Sequence, residues 1–126
     1  MEVFASFVVC RLGRIFAVTT RVEGGYGFPG GKLEAGETTL QAAKRECKEE
    51  GWNFAGISRK PFYQDVVSGK LIAWHRGLLP RKLTKFKEQG RIKPLMISLP
   101  QWIEDGGDSL QRNKNDLAIK AFNDKY

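Results

Sequence analysis

The sequence of 126 residues has no long apolar segment. A membrane-spanning helix needs roughly 20 consecutive apolar residues, and no stretch of this chain comes near that length. The N-terminus partly alternates between apolar and polar residues from Met1 to Cys10, and Arg11 follows, an order that does not fit a secretory signal. We therefore expect a cytoplasmic protein with no membrane partner.

Cysteine is also scarce, with Cys10 and Cys47 as the two examples. Neither belongs to a Cys-x-x-Cys pair or to a Cys/His spacing of the kind that binds zinc. The ordinary interpretation is two buried or half-buried thiols, since a free cysteine behaves as a small apolar residue. The sequence contains no sign of a zinc site.

Internal repeats, low-complexity tracts and linkers are missing as well. At 41% hydrophobic and 28% charged residues, the composition is that of an ordinary soluble globular protein. We expect a single domain over residues 1–126, because this length is usual for one domain with one core. The oligomeric state is not indicated by the sequence.

Positive charge is in excess, with a net charge of +7 and a pI near 9.6. The excess favours solubility, and it also suits an anionic partner such as a polyphosphate, a nucleotide or a nucleic acid. Charge alone does not choose among these partners. The basic residues are densest in one stretch, which contains Arg81, Lys82, Lys85, Lys87, Arg91 and Lys93.

Alternating and helical patterns predict a mixed α/β protein. A helix should begin near Thr38, after a glycine-rich stretch, and the segment from Arg81 to Gly90 should be a polar loop. A short helix should start at Pro100 and a terminal helix should cover Leu110–Phe122. The predicted strands are Glu2–Cys10, Ile15–Thr19, Phe54–Val67 with a break at Pro61, Leu71–Leu79 and Ile92–Leu99.

The predicted helix after Thr38 carries two different faces. Thr38 and Gln41 have the spacing of a capping box, which satisfies the first free backbone N–H groups of a helix. The apolar stripe that follows consists of Leu40, Ala43 and Cys47, and three carboxylates share another face, namely Glu46, Glu49 and Glu50.

Three carboxylates this close repel one another, each pair by a few tenths of a kcal/mol on an exposed helix. One interpretation is a solvated acidic stripe offset by its neighbours Lys44, Arg45 and Lys48. The other is a site for a hard divalent cation, which prefers carboxylate oxygens and also attracts phosphate. The helix pattern alone leaves both open.

The segment before this helix favours the second interpretation. Gly30 and Gly31 allow the backbone to approach a ligand closely, and the ammonium of Lys32 can hold a phosphate oxygen. Glu37 lies just before the helix, where a carboxylate is favoured and where it can pair with Arg45. A loop and a helix thus bring backbone groups, a lysine and four carboxylates into one region.

In register, Gly31, Glu37 and the run Arg45-Glu46-Cys47-Lys48-Glu49-Glu50 resemble the Nudix box. The preceding Gly27-Phe28-Pro29-Gly30 is similar to the usual start of that motif. The chain departs from it at the end, where Trp52-Asn53 replaces a glycine and an apolar residue. Gly51 comes one position early, so we expect a changed helix exit with Gly51 in the left-handed conformation.

The resemblance implies a Nudix-type α/β/α sandwich with a mixed sheet, a central catalytic helix and a C-terminal helix. It implies hydrolysis of a nucleoside diphosphate linked to a further group X, with Mg²⁺ or Mn²⁺ as cofactor. Its metal ligands would be Glu46, Glu49, Glu50 and the backbone carbonyl of Gly30. One glutamate, Glu46 or a neighbour, would act with the metal to activate water.

The remaining implied roles concern positioning and substrate. Arg45 would orient Glu46, Glu37 would hold Arg45, and the backbone of Gly31 with the side chain of Lys32 would contact phosphate. Since the chemistry of this family depends on glutamates, His75 is expected to be structural or exposed. Glu88, in the predicted polar loop, is either an additional ligand or base, or a solvated charge.

The substrate is less defined by the resemblance. We find none of the sequence features that are typical of Nudix enzymes acting on ADP-ribose, diadenosine polyphosphates, coenzyme A or NADH. The remaining candidate is a MutT-like nucleoside triphosphate pyrophosphohydrolase, which releases pyrophosphate. Asn115 resembles a purine-contacting residue of such enzymes, or it caps the last helix. The alternatives are hydrolysis of dinucleoside polyphosphates, nucleotide sugars or RNA 5′ ends, and a catalytically silent nucleotide-binding module.

Overall fold

The computed structural model describes residues 1–105 and 109–126, with side chains described at 1–105 and 115–126. Within these residues the chain forms nine strands and three helices. In chain order they are β1 (Val3–Val9), β2 (Arg11–Leu12), β3 (Ile15–Thr20), β4 (Tyr26–Gly27), β5 (Gly30–Lys32), α1 (Thr39–Glu49), β6 (Trp52–Ile57), β7 (Tyr63–Val67), β8 (Lys70–Lys82), β9 (Pro94–Ser98), α2 (Leu99–Glu104) and α3 (Ser109–Lys125).

The strands form two sheets, and the larger is mixed as expected. Its order is β5-β1-β8-β6, with β7 also pairing with β8. β1 and β8 run parallel, with Phe7 opposite Trp74, and the other pairs of this sheet are antiparallel. The second sheet has the order β2-β3-β4, and β9 pairs with β3.

α1 lies on β1, β5 and β6 through small side chains, because Ala42, Ala43 and Cys47 are its buried residues. The predicted capping box is present: Gln41 N–H donates to Thr38 Oγ1 at 3.1 Å, and Thr38 N–H donates to Gln41 Oε1 at 2.9 Å. The helix therefore begins at a fixed residue next to the glycine-rich segment. Its position sets the position of the glutamates.

Aromatic residues fill the larger core cluster, which lies between the two sheets and α3. Phe28 packs edge-on against Trp102 at a centroid distance of 5.2 Å, and Phe16 against Phe122 at 6.2 Å. Trp74 and Trp102 are both buried and belong to this cluster. A smaller cluster under α1 contains both cysteines, which are free and buried as expected.

Two local predictions were wrong. Arg81 and Lys82 lie in β8 rather than in a loop, because they pair with Asn53 and Trp52 at the start of β6. Asn115 lies inside α3, so it is not the helix cap. In the described residues, no helix is long and apolar enough to cross a membrane.

Gly51 ends α1 with a φ of 94°, as the shifted glycine predicted. A Cβ there would lie 3.0 Å from both the Phe86 ring and Pro94, whereas a Cβ at Gly69, with a φ of 78°, would meet nothing within 4 Å. Positive φ is therefore shared by both positions, and crowding occurs only at Gly51.

We expect Gly69→Ala to lower the free energy of unfolding by about 1–2 kcal/mol through backbone strain alone. Gly51→Ala should cost at least ~1 kcal/mol more, because crowding adds to strain. Urea denaturation of both variants measures the difference. Equal losses would contradict the role given to Phe86 and Pro94.

Candidate active site

Arg45 joins the glycine-rich segment to α1. Its guanidinium donates two hydrogen bonds to Glu37, each at 2.8 Å, and one to the carbonyl of Lys32 at 3.0 Å. On the helix side it donates to Glu46 at 3.0 Å and reaches Glu49 at 3.5 Å. A planar, five-donor cation suits this task, because it can serve several acceptors at fixed angles.

These contacts change the acidity of Glu37. Hydrogen bonding from Arg45, aided by the backbone N–H of Glu34, lowers the pKa of Glu37 from 4.5 to about 2. The same contact with Glu37 raises the pKa of Arg45. At neutral pH the two groups therefore form a fully ionised pair.

The carboxylate of Glu46 lies against the backbone of Gly31. A Cβ on Gly31 would come within 2.5 Å of Glu46 Cδ, so a side chain there would displace the carboxylate. Burial raises the pKa of Glu46, and the charge of Glu49 adds to this while Arg45 opposes it. Gly31 is thus needed for space, and Glu46 is a more basic carboxylate than an exposed one.

Glu50 is the buried carboxylate of the site. It accepts a hydrogen bond from the backbone N–H of Gly30 at 2.7 Å and a contact from Arg21 at 3.3 Å. Burial raises the pKa of Glu50 to about 7, although Arg21 and the Gly30 N–H lower it. Near neutral pH this group therefore exists in both protonation states.

Glu49 and Glu88 meet at the end of α1. The backbone N–H of Glu88 donates to the carbonyl of Glu49 at 2.9 Å, and the Glu88 side chain pairs with Arg91 at 2.9 Å. Lys87 lies 3.4 Å from Glu49. The charge of Glu88 also contributes to the raised pKa of Glu50, which indicates that the loop glutamate lies near the glutamates of α1.

The donor chemistry of this group fits a hard divalent cation. Glu46, Glu49, Glu50 and Glu88 offer only oxygen, and their mutual repulsion is the kind that a cation relieves. In the described parts of the chain, however, no three acidic, histidine or cysteine side chains converge closely enough to hold an ion. Glu46 faces Arg45 while Glu50 faces Arg21 and Gly30.

The two side chains that were expected to contact substrate lie in different settings. Lys32 is exposed, with its ammonium 5.4 Å from the centre of the Phe4 ring, so it does not touch the glutamates. Asn115 is 3% exposed in α3, which packs near β4, and its Nδ2 has no hydrogen-bond partner. A buried amide without a partner normally costs free energy, which suits a group kept for a ligand.

His75 has a structural position. Its Nδ1 is 2.7 Å from the carbonyl of Ser58, and its Nε2 is 2.9 Å from Thr39 Oγ1 at the start of α1. It is fully buried, and burial lowers its pKa. His75 therefore ties β8 to α1 and is not placed to act on a substrate.

Arg21 was missed by the sequence analysis. As a charged residue in a polar turn it gave no pattern, since the contact with Glu50 joins positions 29 residues apart. The one available signal was Gly27, whose missing side chain leaves room for the guanidinium.

Comparison with known proteins supports a family assignment. The NUDIX domain model matches residues 3–67, just over half of the chain. A Bacillus subtilis protein assigned as an 8-oxo-dGTP diphosphatase, YtkD, is 48% identical over 44 residues, covering 35% of this chain and 28% of that protein. An 8-oxo-dGTP diphosphatase of Haemophilus influenzae is 44% identical over 55 residues, covering 40% of each chain. The matches thus span less than half the length of either relative.

A solved MutT structure, from work on Aliivibrio salmonicida and Vibrio cholerae, has the same fold. It superposes with a TM-score of 0.73 at 17% identity and covers 100% of both chains. At that identity the likeness concerns the fold, and it confirms the predicted mixed α/β architecture.

The Arg45–Glu37 pair has a measurable pH dependence. Because the pKa of Glu37 is lower in the folded protein, the pair stabilises the fold above pH ~4.5 and loses this effect as pH falls toward 2. In carboxyl NMR titrations we expect the pKa of Glu37 to be about 2, and to move up toward 4.5 in Arg45→Lys, which cannot form the two-pronged contact but leaves the Glu34 N–H in place. Arg59→Lys, at an exposed arginine, is the control. A wild-type midpoint near 4.5 would contradict the pair.

Proposed function

From the fact that this chain belongs to the Nudix hydrolase family, we propose that it is a nucleotide pyrophosphohydrolase that converts a nucleoside triphosphate to its monophosphate and pyrophosphate. The observation that carries the proposal is the glutamate face of α1 against the glycine-rich segment. There Glu46 lies on the backbone of Gly31, beside Glu49 and under the guanidinium of Arg45. A phosphate approaching Gly31 would meet this face.

Different residues have different roles in the attack of water on phosphorus. Glu46, Glu49, Glu50 and the carbonyl of Gly30 would hold Mg²⁺ or Mn²⁺, which neutralises phosphate charge and acidifies water. Glu46 would accept the proton of the attacking water, since Arg45 fixes its carboxylate against the backbone of Gly31. Attack forms one P–O bond as the anhydride P–O bond to pyrophosphate breaks.

Arg45 and Glu37 act on Glu46 rather than on the substrate. The two-pronged contact with Glu37 fixes the guanidinium, and the guanidinium then fixes one oxygen of Glu46. Lys32 is exposed next to Gly31 and can turn toward a phosphate. Lys87 and Arg91 lie beside Glu49 and Glu88, so part of the basic stretch surrounds the site and suits a polyphosphate.

We further propose a purine substrate, with 8-oxo-dGTP the first to test. Two relatives bear the name 8-oxo-dGTP diphosphatase, although the matches cover less than half of each. Asn115 supplies the chemistry, because its amide both donates and accepts and its buried Nδ2 lacks a partner. Glu88 is proposed as a further ligand or base, from its place beside Glu49.

Product analysis with Mg²⁺ tests the activity. The panel is the standard and 8-oxo nucleoside triphosphates, ADP-ribose, diadenosine tetraphosphate and triphosphate-ended RNA, with products separated by chromatography. We expect monophosphate and pyrophosphate from a purine triphosphate, and a loss of about 10³-fold or more in kcat for Glu49→Gln because one ligand charge is removed. Glu104→Gln, at an exposed position in α2, should keep wild-type activity.

Each other outcome decides between the alternatives. Cleavage of the dinucleotide or RNA alone would overturn the triphosphate proposal while leaving the metal site in place. No cleavage with either Mg²⁺ or Mn²⁺ would contradict the hydrolase proposal and favour the nucleotide-binding module. Equal activity of Glu49→Gln and the wild type would contradict the proposed site.

The role of Asn115 has its own test. We expect Asn115→Leu to raise KM for the purine triphosphate by about tenfold, as one base contact contributes roughly 1–3 kcal/mol. The free energy of unfolding should change little, because Nδ2 has no protein partner to lose. Pyrimidine triphosphates and an Asn53→Leu variant serve as controls. An unchanged purine KM would remove Asn115 from the base site.

A further inference from the structure

Arg21 is a largely buried cation at the end of β3, next to the glutamate helix. Its side chain is 19% exposed, and that of its partner Glu50 is 9% exposed. Nη1 donates to Glu50 at 3.3 Å and Nη2 donates to the carbonyl of Phe28 at 2.8 Å. The backbone of Arg21 is also fixed, because its N–H donates to Gly25 at 3.0 Å and its carbonyl accepts from Gly24 at 2.9 Å.

The guanidinium lies on the bare backbone of Gly27. A Cβ at Gly27 would be 2.5 Å from both Nε and Nη2 and 2.9 Å from Cζ. The φ of Gly27 is not in the left-handed region, so glycine is required there for space and not for backbone conformation. Since Gly27 pairs with Thr19 in the sheet, the space that receives Arg21 is held by β3 and β4.

Arg21 and the Gly30 N–H hold opposite oxygens of the same carboxylate. Oε1 of Glu50 faces Gly30 and Oε2 faces Arg21, so both oxygens have a defined direction. The contact with Phe28 ties the same guanidinium to the chain that leads into Gly30. Losing Arg21 would therefore free a carboxylate oxygen and loosen the segment whose carbonyl is a proposed ligand.

We propose that Arg21, seated on Gly27, is a positioning residue for Glu50 and prepares this carboxylate for the divalent cation. The proposal rests on the proposed metal-dependent function. A lysine has one ammonium in place of a fork, so it can keep the charge but not both contacts. Gly27 and Arg21 consequently act as one unit, and damage to either should have the same effect.

The experiment is a double-mutant cycle of Arg21→Gln and Gly27→Ala. For each variant, Mn²⁺ binding to the full chain is measured without nucleotide, from the EPR signal of free Mn²⁺. Residues that orient metal ligands typically change affinity or activity by 10–100-fold. We expect each single variant to weaken Mn²⁺ binding by about tenfold and the double variant to be no weaker, because both remove one unit. Arg21→Lys should recover part of the loss.

Gly56→Ala is the matched control for Gly27→Ala. It also lies in a strand without positive φ, and its nearest contact would be Leu78 at 3.9 Å, so Mn²⁺ binding should not change. Circular dichroism confirms that each variant is folded. If Arg21→Gln does not fold, Gly27→Ala tests the proposal alone, because it displaces Arg21 without removing it.

Turnover separates positioning from a structural effect. With saturating Mg²⁺, kcat of Arg21→Gln should fall while KM for the nucleotide stays within about twofold, as expected when binding of the substrate is left intact. The proposal would be overturned if Arg21→Gln bound Mn²⁺ as well as or more tightly than the wild type. It would also be overturned if the losses in Mn²⁺ affinity of the two single variants added up in the double variant. Wild-type chain that binds Mn²⁺ but cleaves no nucleotide would instead overturn the proposed function and leave this test intact.

Discussion

The site depends first on the two-pronged contact between Arg45 and Glu37. It closes the glycine-rich segment onto the second half of α1, and through the Lys32 carbonyl it also holds the end of β5. Only with the guanidinium fixed in this way does Glu46 have a defined place against Gly31. The partner of Arg45 is fully ionised at neutral pH, so the arrangement is present before any ligand binds.

Near this contact, two carboxylates of the site have very different pKa values. Glu37 is held ionised by Arg45, whereas Glu50 is buried and its pKa is about 7 despite its own cationic neighbour. The difference follows from the dominant cause at each group: hydrogen bonds from Arg45 and Glu34 favour the charged form of Glu37, whereas desolvation of Glu50 outweighs its contacts with Arg21 and Gly30. The fixed negative charge of Glu37, just before α1, therefore stands near a second carboxylate, Glu50, whose charge responds to its surroundings.

The features that could be predicted from the sequence depend on residues close together in the chain or on the Nudix-box motif. The capping box at Thr38 and the shifted Gly51 follow from short-range pattern, and the structure has both. Of the predicted apolar stripe, Ala43 and Cys47 are buried, whereas Leu40 is half-buried and Ala42 is buried in addition. Pairing of Arg81 with Asn53 and the contact of Arg21 with Glu50 join distant positions, and no periodicity reports such pairs. The proposed roles of the glutamates came from the resemblance, and the structure adds their geometry.

The parallel pairing of β1 with β8 has a consequence for how the molecule forms. Phe7 meets Trp74 across more than half of the chain, so the central pair of the larger sheet is a contact of high sequence separation. Such contacts close late, because the loop entropy is lost before they form. The motif-bearing segment and α1 are synthesised earlier, and they rest on a strand whose neighbour has not yet arrived. During synthesis, the motif-bearing segment and α1 are therefore complete before β8 can supply the parallel partner of β1.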